Sequence, residues 1–179
     1  MPLDDKVAAA KQVDALLKKL VAAAGFQLKW RITVDPVVPA GSLEQPVILV
    51  DFGGPDSPSV LAQNGELMRS FEYIVLKSLK LEAEEHDLVI FDCRNYRAAR
   101  HEELRQAADH AAKQVRETGV PYKFSPMSAR ERRILHLSLR DADDLATQSE
   151  GEGMRRYVVV SPKDASASSG SSRKPAFDN

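Results

Sequence analysis

Hydrophobic residues in the first part of the chain switch between helical and strand-like spacing. Residues 6–24 place their apolar side chains on one helical face and their lysines elsewhere, which predicts an amphipathic α-helix. The apolar residues of that face are Val13, Leu16, Leu17, Leu20 and Ala24. Gly25 follows directly, and glycine is a common helix stop because it accepts left-handed backbone angles.

The next segments predict a small α/β layer. Residues 26–34 alternate as a half-buried strand, and a loop with three prolines separates them from a buried strand at residues 47–52. After a turn at residues 53–59, residues 64–79 have helical spacing and residues 86–93 have the pattern of a third strand. The predicted order is therefore helix, strand, strand, helix, strand.

Two further helices are predicted in the second part. Residues 95–119 carry apolar side chains at spacings of three and four, which indicates a long helix. Residues 122–127 form a short extended segment in this interpretation. Residues 128–139 then follow as a helix for which Ser128 is a plausible N-cap, because a serine hydroxyl accepts from backbone N–H groups in the first turn.

The chain closes with a turn, a strand and a polar tail. Residues 144–153 are predicted to lead through a turn into a strand at residues 154–162, and residues 163–179 have the low-complexity composition of a disordered tail. We therefore expect an α/β (α+β) fold of two small domains, residues 1–93 and 94–162. Domains as small as about 50 residues are known, so the length allows both.

Composition is typical of a soluble globular protein, with 43% hydrophobic and 28% charged residues. The start is acidic, unlike a signal peptide, and no apolar run approaches the roughly 18 residues of a membrane helix. The lone Cys93 cannot form an internal disulfide. No spacing of histidines suggests a metal site, and no catalytic constellation is evident. We expect a cytoplasmic protein without enzyme activity, cofactor or membrane insertion.

Charge is distributed unevenly although the net charge is only −1. Residues 1–93 contain nine basic and fourteen acidic residues, whereas residues 94–160 contain thirteen basic and ten acidic ones. All but two of those thirteen are arginines, which suit bidentate phosphate contacts and stacking on bases. The second part is therefore the better candidate for binding a polyanion.

Four-residue steps bring Arg132, His136 and Arg140 into one quadrant of the predicted helix, and no carboxylate lies on the same stripe. Arg155 and Arg156 lie on the strand expected to pack against this helix. Because neighbouring strand residues point to opposite faces, only one of the two can easily join the stripe. A solvated face is the common fate of such charges; the functional alternative is a face that binds phosphate.

The segment "ERRILH" has the Arg-x-x-x-His signature of the R-3-H domain. The stretches "DCRNYRAARHEELRQAADHAAKQV", "PYKFSPMSARERRILHLSL" and "DLATQSEGEGMRRYVVVSP" resemble the C-terminal half of bacterial Jag (SpoIIIJ-associated) RNA-binding proteins, where an R-3-H domain follows a KH-like one. The resemblance covers roughly residues 45–162. It implies a single-stranded nucleic-acid binder with Arg132 and His136 as the signature pair. We expect no room for that family's N-terminal Jag domain.

The resemblance also implies a KH-like (type II-like) domain at residues 1–93. KH domains clamp the nucleic-acid backbone with a Gly-x-x-Gly loop. Here the loop reads Ala62-Gln63-Asn64-Gly65, so alanine replaces the first glycine and neither middle residue is basic. Gln63 and Asn64 could still donate hydrogen bonds to phosphate or sugar, whereas the alternative is a scaffold or a protein-docking surface.

The sequence therefore predicts a binder of single-stranded RNA, or of DNA, with a protein partner possible at the KH-like domain. The alternative is a protein-interaction scaffold whose nucleic-acid sites have decayed. The candidate binding residues are Arg132, Arg133, His136, Arg140, Arg155 and Arg156 of the second domain, and Gln63, Asn64 and Gly65 of the first.

Overall fold

The structure, a computed structural model, describes residues 3–38 and 44–163. These residues divide into two compact units, one up to Arg97 and one from Ala98 onwards. Each unit combines helices with a small three-stranded sheet, and the predicted α+β class is confirmed. The domain boundaries inferred from the sequence stay predictions, and the tail predicted to be disordered lies, apart from Lys163, outside the described residues.

The first unit opens with helix α1, Lys6–Ala24, as the spacing predicts. The Asp5 carboxylate accepts a hydrogen bond from the backbone N–H of Ala8 at 2.9 Å and caps the helix start. Gly25 ends the helix with a φ of 71°. The helix is held to the unit by its buried face, formed by Ala9, Val13, Leu17 and Val21.

The first unit's sheet has the order β1-β2-β3. Strand β1, Lys29–Val34, is antiparallel to β2, Ile48–Gly53, and β2 is parallel to β3, Val89–Cys93. A parallel pair requires a crossover connection, and helix α2, Ser57–Ser78, supplies it. This helix begins within residues 53–59, where the sequence predicts a turn. A proline lies in its first turn, which is a favourable position because the first N–H groups of a helix have no partner within the helix.

The second unit packs two helices on a sheet of order β4-β6-β5, in which both pairings are antiparallel. Its core contains alanines and leucines from the helices and valines from the central strand. The elements are α3 (Tyr96–Thr118), β4 (Tyr122–Lys123), α4 (Ala129–Ser138), β5 (Leu145–Glu150) and β6 (Tyr157–Pro162). Helix α3 starts with the last two residues of the first unit.

The turn predicted within residues 144–153 is confined to the end of that segment, because Leu145–Glu150 forms the edge strand β5, which the sequence does not predict. Its alternating polar side chains lack the β-branched, apolar character that marks a strand in a single sequence. Gly151 follows with a φ of 81°, where an added Cβ would lie 2.7 Å from the carbonyl oxygen of Arg155. The connection to β6 is therefore tight, and only glycine fits it.

A candidate nucleic-acid interface

The start of α4 is fixed by a buried carboxylate. Glu131 accepts hydrogen bonds from the backbone N–H and the hydroxyl of Ser128, both at 2.8 Å, and from Nε of Arg100 at 2.8 Å. Ser128 in turn accepts from the backbone N–H of Glu131, which completes a capping box and confirms the predicted N-cap. Burial raises the pKa of Glu131, but the bonds from Arg100 and Ser128 outweigh it and the pKa is lowered.

The signature pair on α4 contacts the edge strand β5. Arg132 donates from Nη1 to the hydroxyl of Ser149 at 3.2 Å. The ring of His136 lies between two hydroxyls, with Nδ1 2.8 Å from Oγ1 of Thr147 and Nε2 3.0 Å from Oγ of Ser149. Thr147 and Ser149 are two residues apart on β5 and therefore point to the same face of the sheet. We call Arg132, His136, Thr147, Ser149 and Arg156 the basic face.

The basic face concentrates positive charge. Burial, followed by the charge of Arg156, lowers the pKa of Arg132. Burial, followed by the charges of Arg132 and Arg156, lowers the pKa of His136. In the described part of the chain, none of these three side chains forms an ion pair, and the buried Nε of Arg132 has no hydrogen-bond acceptor. An anion placed here would relieve both the repulsion and the unsatisfied donor.

The other predicted arginines are placed differently from the sequence expectation. Arg140 lies beyond the end of α4, so it does not continue the helical stripe, and its Nε contacts the exposed carboxylate of Asp141 at 3.3 Å. Arg133 is on α4 and exposed. Arg155 and Arg156 precede β6 rather than lying on it, with Arg155 in a short 3₁₀ turn. Of these four arginines, only Arg156 lies where its charge lowers the pKa of Arg132 and His136. The nucleic-acid contacts of all four stay predictions.

Residues 62–65 of the first unit interrupt helix α2. Gln63, Asn64 and Gly65 have φ values of 51°, 56° and 73°, so three successive residues are left-handed. Ala62, Gln63 and Asn64 are exposed, and Nη1 of Arg69 donates to the carbonyl oxygen of Asn64. A Cβ on Gly65 would approach the Tyr96 ring to 3.2 Å. A loop therefore stands where the sequence predicts it, whereas its role in binding stays a prediction.

Sequence reasoning missed Thr147 and Ser149. Their signal was present in the alternation of "LATQSE", where two hydroxyls share one strand face and Gln148 takes the other. The signal is weak, because serine and threonine hydroxyls also stabilise turns, and the sequence predicts a turn in this segment.

Metal sites and membrane spans are both absent from the part of the chain that the structure describes. Among residues 3–38 and 44–163, no group of histidine, cysteine, aspartate and glutamate side chains is arranged to hold a metal ion. Over the same described ranges, none of the helices combines the length and apolar character needed to span a bilayer.

A comparison with known protein families indicates a class of nucleic-acid-binding domain for the second unit. Residues 102–162 match the family model of the R-3-H domain, which contains α4, β5, β6 and most of α3. Residues 102–162 are therefore similar to an R-3-H domain, and Arg132 and His136 lie within the matched range. The resemblance identified from the sequence is confirmed.

The particular relatives are proteins named RNA-binding protein KhpB. The chain is 31% identical to the one from Clostridium symbiosum over 114 residues, which cover 64% of this chain and 51% of the relative. It is 31% identical to the one from Bacillus subtilis (strain 168) over 112 residues, or 62% of this chain and 54% of the relative. The chain thus spans about half the length of the curated relatives it matches.

Proposed function

We propose that this protein binds single-stranded nucleic acid, with RNA as the favoured ligand, through the basic face of its R-3-H domain. The observation that carries the proposal is that hydroxyls of β5 hold Arg132 and His136 beside the positive charge of Arg156, with no carboxylate partner for these side chains among the described residues. The phosphates of a nucleic acid would supply the missing negative charge. RNA is favoured over DNA because the relatives bear the name RNA-binding protein.

We further propose that the role is binding and not catalysis. Ser149 and His136 lie at the distance of a nucleophile and its general base. A general base must pass through the imidazolium, however, and the neighbouring arginines disfavour that state. In a catalytic triad, a carboxylate bonded to the other ring nitrogen stabilises the imidazolium. Here that nitrogen, Nδ1, is bonded to the neutral hydroxyl of Thr147. A cytoplasmic location fits such a role and belongs to the proposal.

We propose that the first unit is a KH-like domain, as the resemblance implies, with a weaker part in binding. Its loop at residues 62–65 offers two exposed amide side chains, Gln63 and Asn64, but has no cation within it. A phosphate there would gain hydrogen bonds without strong Coulomb attraction. Gln63, Asn64 and Gly65 are thus secondary contacts in this proposal.

A protein-interaction role for the first unit is the second candidate. Tyr73 and Ile74 on α2 are 59% and 41% exposed, which is unusual for large apolar side chains on a structured helix. Under this candidate alone, the protein would bind a protein partner and no RNA.

The test is a titration of labelled single-stranded RNA against the wild type and the Arg132→Ala/His136→Ala double variant at several salt concentrations. We expect weaker binding by the variant and a log–log salt slope smaller by roughly 0.7 for each phosphate that is no longer neutralised. Arg105→Ala is the matched control, because Arg105 is paired with Glu102 on the same unit. Equal affinities and equal slopes for wild type and double variant would refute the proposal.

A further inference from the structure

The hydroxyl of Ser149 lies between the two signature side chains, within hydrogen-bond distance of both Arg132 and His136. A hydroxyl has one proton to donate and two lone pairs to accept with. A guanidinium can only donate, so Arg132 occupies one lone pair of Ser149. The direction of the bond between Ser149 and His136 then decides where the hydroxyl proton points.

The protonation state of His136 sets that direction. When Nε2 carries a proton, it donates to the second lone pair of Ser149, and the Ser149 proton then has no acceptor among the residues that the structure describes. This holds for the neutral ring protonated at Nε2 and for the imidazolium. Thr147 serves either state, because its hydroxyl can donate to Nδ1 or accept from it. Only the neutral ring protonated at Nδ1 would take the Ser149 proton for itself.

The location suits a contact with a ligand. Ser149 is half-buried on β5, which is an edge strand of its sheet, so its hydroxyl is not sealed inside the core. Both ring nitrogens of His136, in contrast, are already bonded to hydroxyls of β5. The histidine therefore has no free donor for a phosphate, whereas the serine has one whenever Nε2 is protonated.

We propose that Ser149 donates its hydroxyl proton to a phosphate of the bound nucleic acid, and that His136 is the positioning residue that turns this proton outwards. The inference rests on the proposed function and names two roles within the same site. Arg132 supplies the charge, Ser149 supplies a directed hydrogen bond, and His136 acts through Ser149 without touching the phosphate.

The first measurement is the affinity for single-stranded RNA of Ser149→Ala, Ser149→Thr and Gln148→Ala. Loss of a hydrogen bond to a charged group should weaken binding about tenfold for Ser149→Ala. Ser149→Thr keeps the hydroxyl and should restore most of it, and Gln148→Ala, on the opposite strand face, should bind like the wild type. The salt slope of Ser149→Ala should equal that of the wild type, because no charge is removed.

The second measurement separates positioning from contact at His136. A glutamine places its amide near the former Nε2 and can still donate to Ser149, whereas an asparagine is too short and reaches only towards Thr147. We expect His136→Gln to bind within about threefold of the wild type and His136→Asn to be weakened about as much as Ser149→Ala. The Ser149→Ala/His136→Asn double variant should be no weaker than Ser149→Ala, since coupled residues are not additive.

Nitrogen NMR of the complex supplies a readout that a purely structural role would not move. It should show His136 protonated at Nε2, and detection of the Nδ1-protonated neutral ring would overturn the inference. Wild-type affinity for Ser149→Ala, or equal affinities for His136→Gln and His136→Asn, would overturn it as well. Each of these results would overturn the inference alone if the protein still binds RNA and still needs Arg132. A complete lack of RNA binding would instead refute the proposed function.

Discussion

The loop at residues 62–65 and the basic face are two candidate sites for one kind of ligand, built in opposite ways. The loop presents left-handed backbone and neutral amides to solvent, and Arg69 of α2 donates to the loop's Asn64 carbonyl. The basic face gathers charged side chains on a helix and fixes them with hydroxyls of a strand. Clustered positive charge attracts phosphate, and the basic face groups Arg132, His136 and Arg156, whereas the loop has Arg69 beside it.

The difference also concerns what holds each site in place. Arg100 and Glu131 form an ion pair whose side chains are only 15% and 11% exposed, and it fixes the start of α4. The loop is held by a hydrogen bond between an arginine and a backbone carbonyl. A site on a helix and strand with buried support keeps its geometry better than a site on an exposed loop.

The largest expected effect is on stability, from Glu131→Ala. This change leaves Arg100 buried with only the exposed Glu103 as a partner and removes the capping box, so we expect about 3 kcal/mol of destabilisation of the second unit. Hydrogen exchange of the α4 amides would measure this destabilisation.

Arg69→Ala at the loop should destabilise the first unit by less than about 1 kcal/mol. The fluorescence of Trp30, which is the single tryptophan and lies in the first unit, would monitor its unfolding. Similar losses from both changes would remove the contrast.

The next effect is on affinity. Arg132→Gln and Asn64→Asp each lower the net charge by one, so together they compare the two sites at equal change of charge. We expect Arg132→Gln to weaken RNA binding on the order of tenfold or more, and Asn64→Asp to change it within about twofold. Fluorescence anisotropy with one single-stranded RNA would give both values. A larger loss from Asn64→Asp would move the main site to the loop.

A smaller effect is expected from pH. Burial, Arg132 and Arg156 lower the pKa of His136 in the free protein, and a bound phosphate would raise it again. Binding then takes up protons, so affinity rises as pH falls through the bound-state pKa and levels off below the free-state pKa. A difference of one unit between these values gives at most about tenfold. His136→Gln should bind independently of pH, and a pH dependence that survives this change would assign the titration to another group.

The same shift has the opposite sign for folding. An unfolded histidine has a pKa near 6.5 and takes up a proton first, so the unfolded state binds more protons than the folded one. Stability of the free protein should therefore fall as pH falls below about 6.5, down to the lowered pKa of His136. RNA should reduce this loss, which thermal unfolding at pH 7.5 and pH 5.5 with and without RNA would reveal. Equal losses in both cases would show that binding leaves His136 unchanged.

The smallest effect is a gain at the loop. Gln63→Lys adds the cation that the loop lacks, and an exposed charge should improve RNA affinity by about two- to threefold and raise the salt slope by up to roughly 0.7. Gln63→Glu, measured alongside, should weaken binding by a similar factor. No change from either substitution would indicate that the loop lies outside the contact surface, as the protein-interaction alternative requires.

Much of this molecule could be predicted from the chain. The helices α1 and α3 and the strands around Val50 and Phe91 follow from apolar periodicity, because burial selects the same residue types in any such element. The cap at Ser128 follows from local chemistry within four residues. The signature pair could be identified because residues four apart on a helix always share a face.

Edge strand β5 and the start of β6 could not be predicted in the same way. Thr147 and Ser149 are polar and become strand residues because they pair with Val160 and Val158. Arg155 and Arg156 belong to an apparent strand in the sequence, but the tight turn after Gly151 takes them out of it. The first outcome depends on pairing with β6, which the pattern of the β5 segment does not contain. The second depends on the left-handed backbone of Gly151 and its close approach to Arg155.

The sequence alone therefore determined the fold class, the Arg132–His136 pair and the altered loop, since each is local in the chain. The tertiary structure alone decided which groups complete the site. It placed Ser149 between Arg132 and His136 and left Arg140 beyond the helix end. It also placed Arg156 where its charge lowers the pKa of Arg132 and of His136. The physical reason is that hydrogen bonding and charge repulsion depend on distances between segments, and folding alone sets those distances.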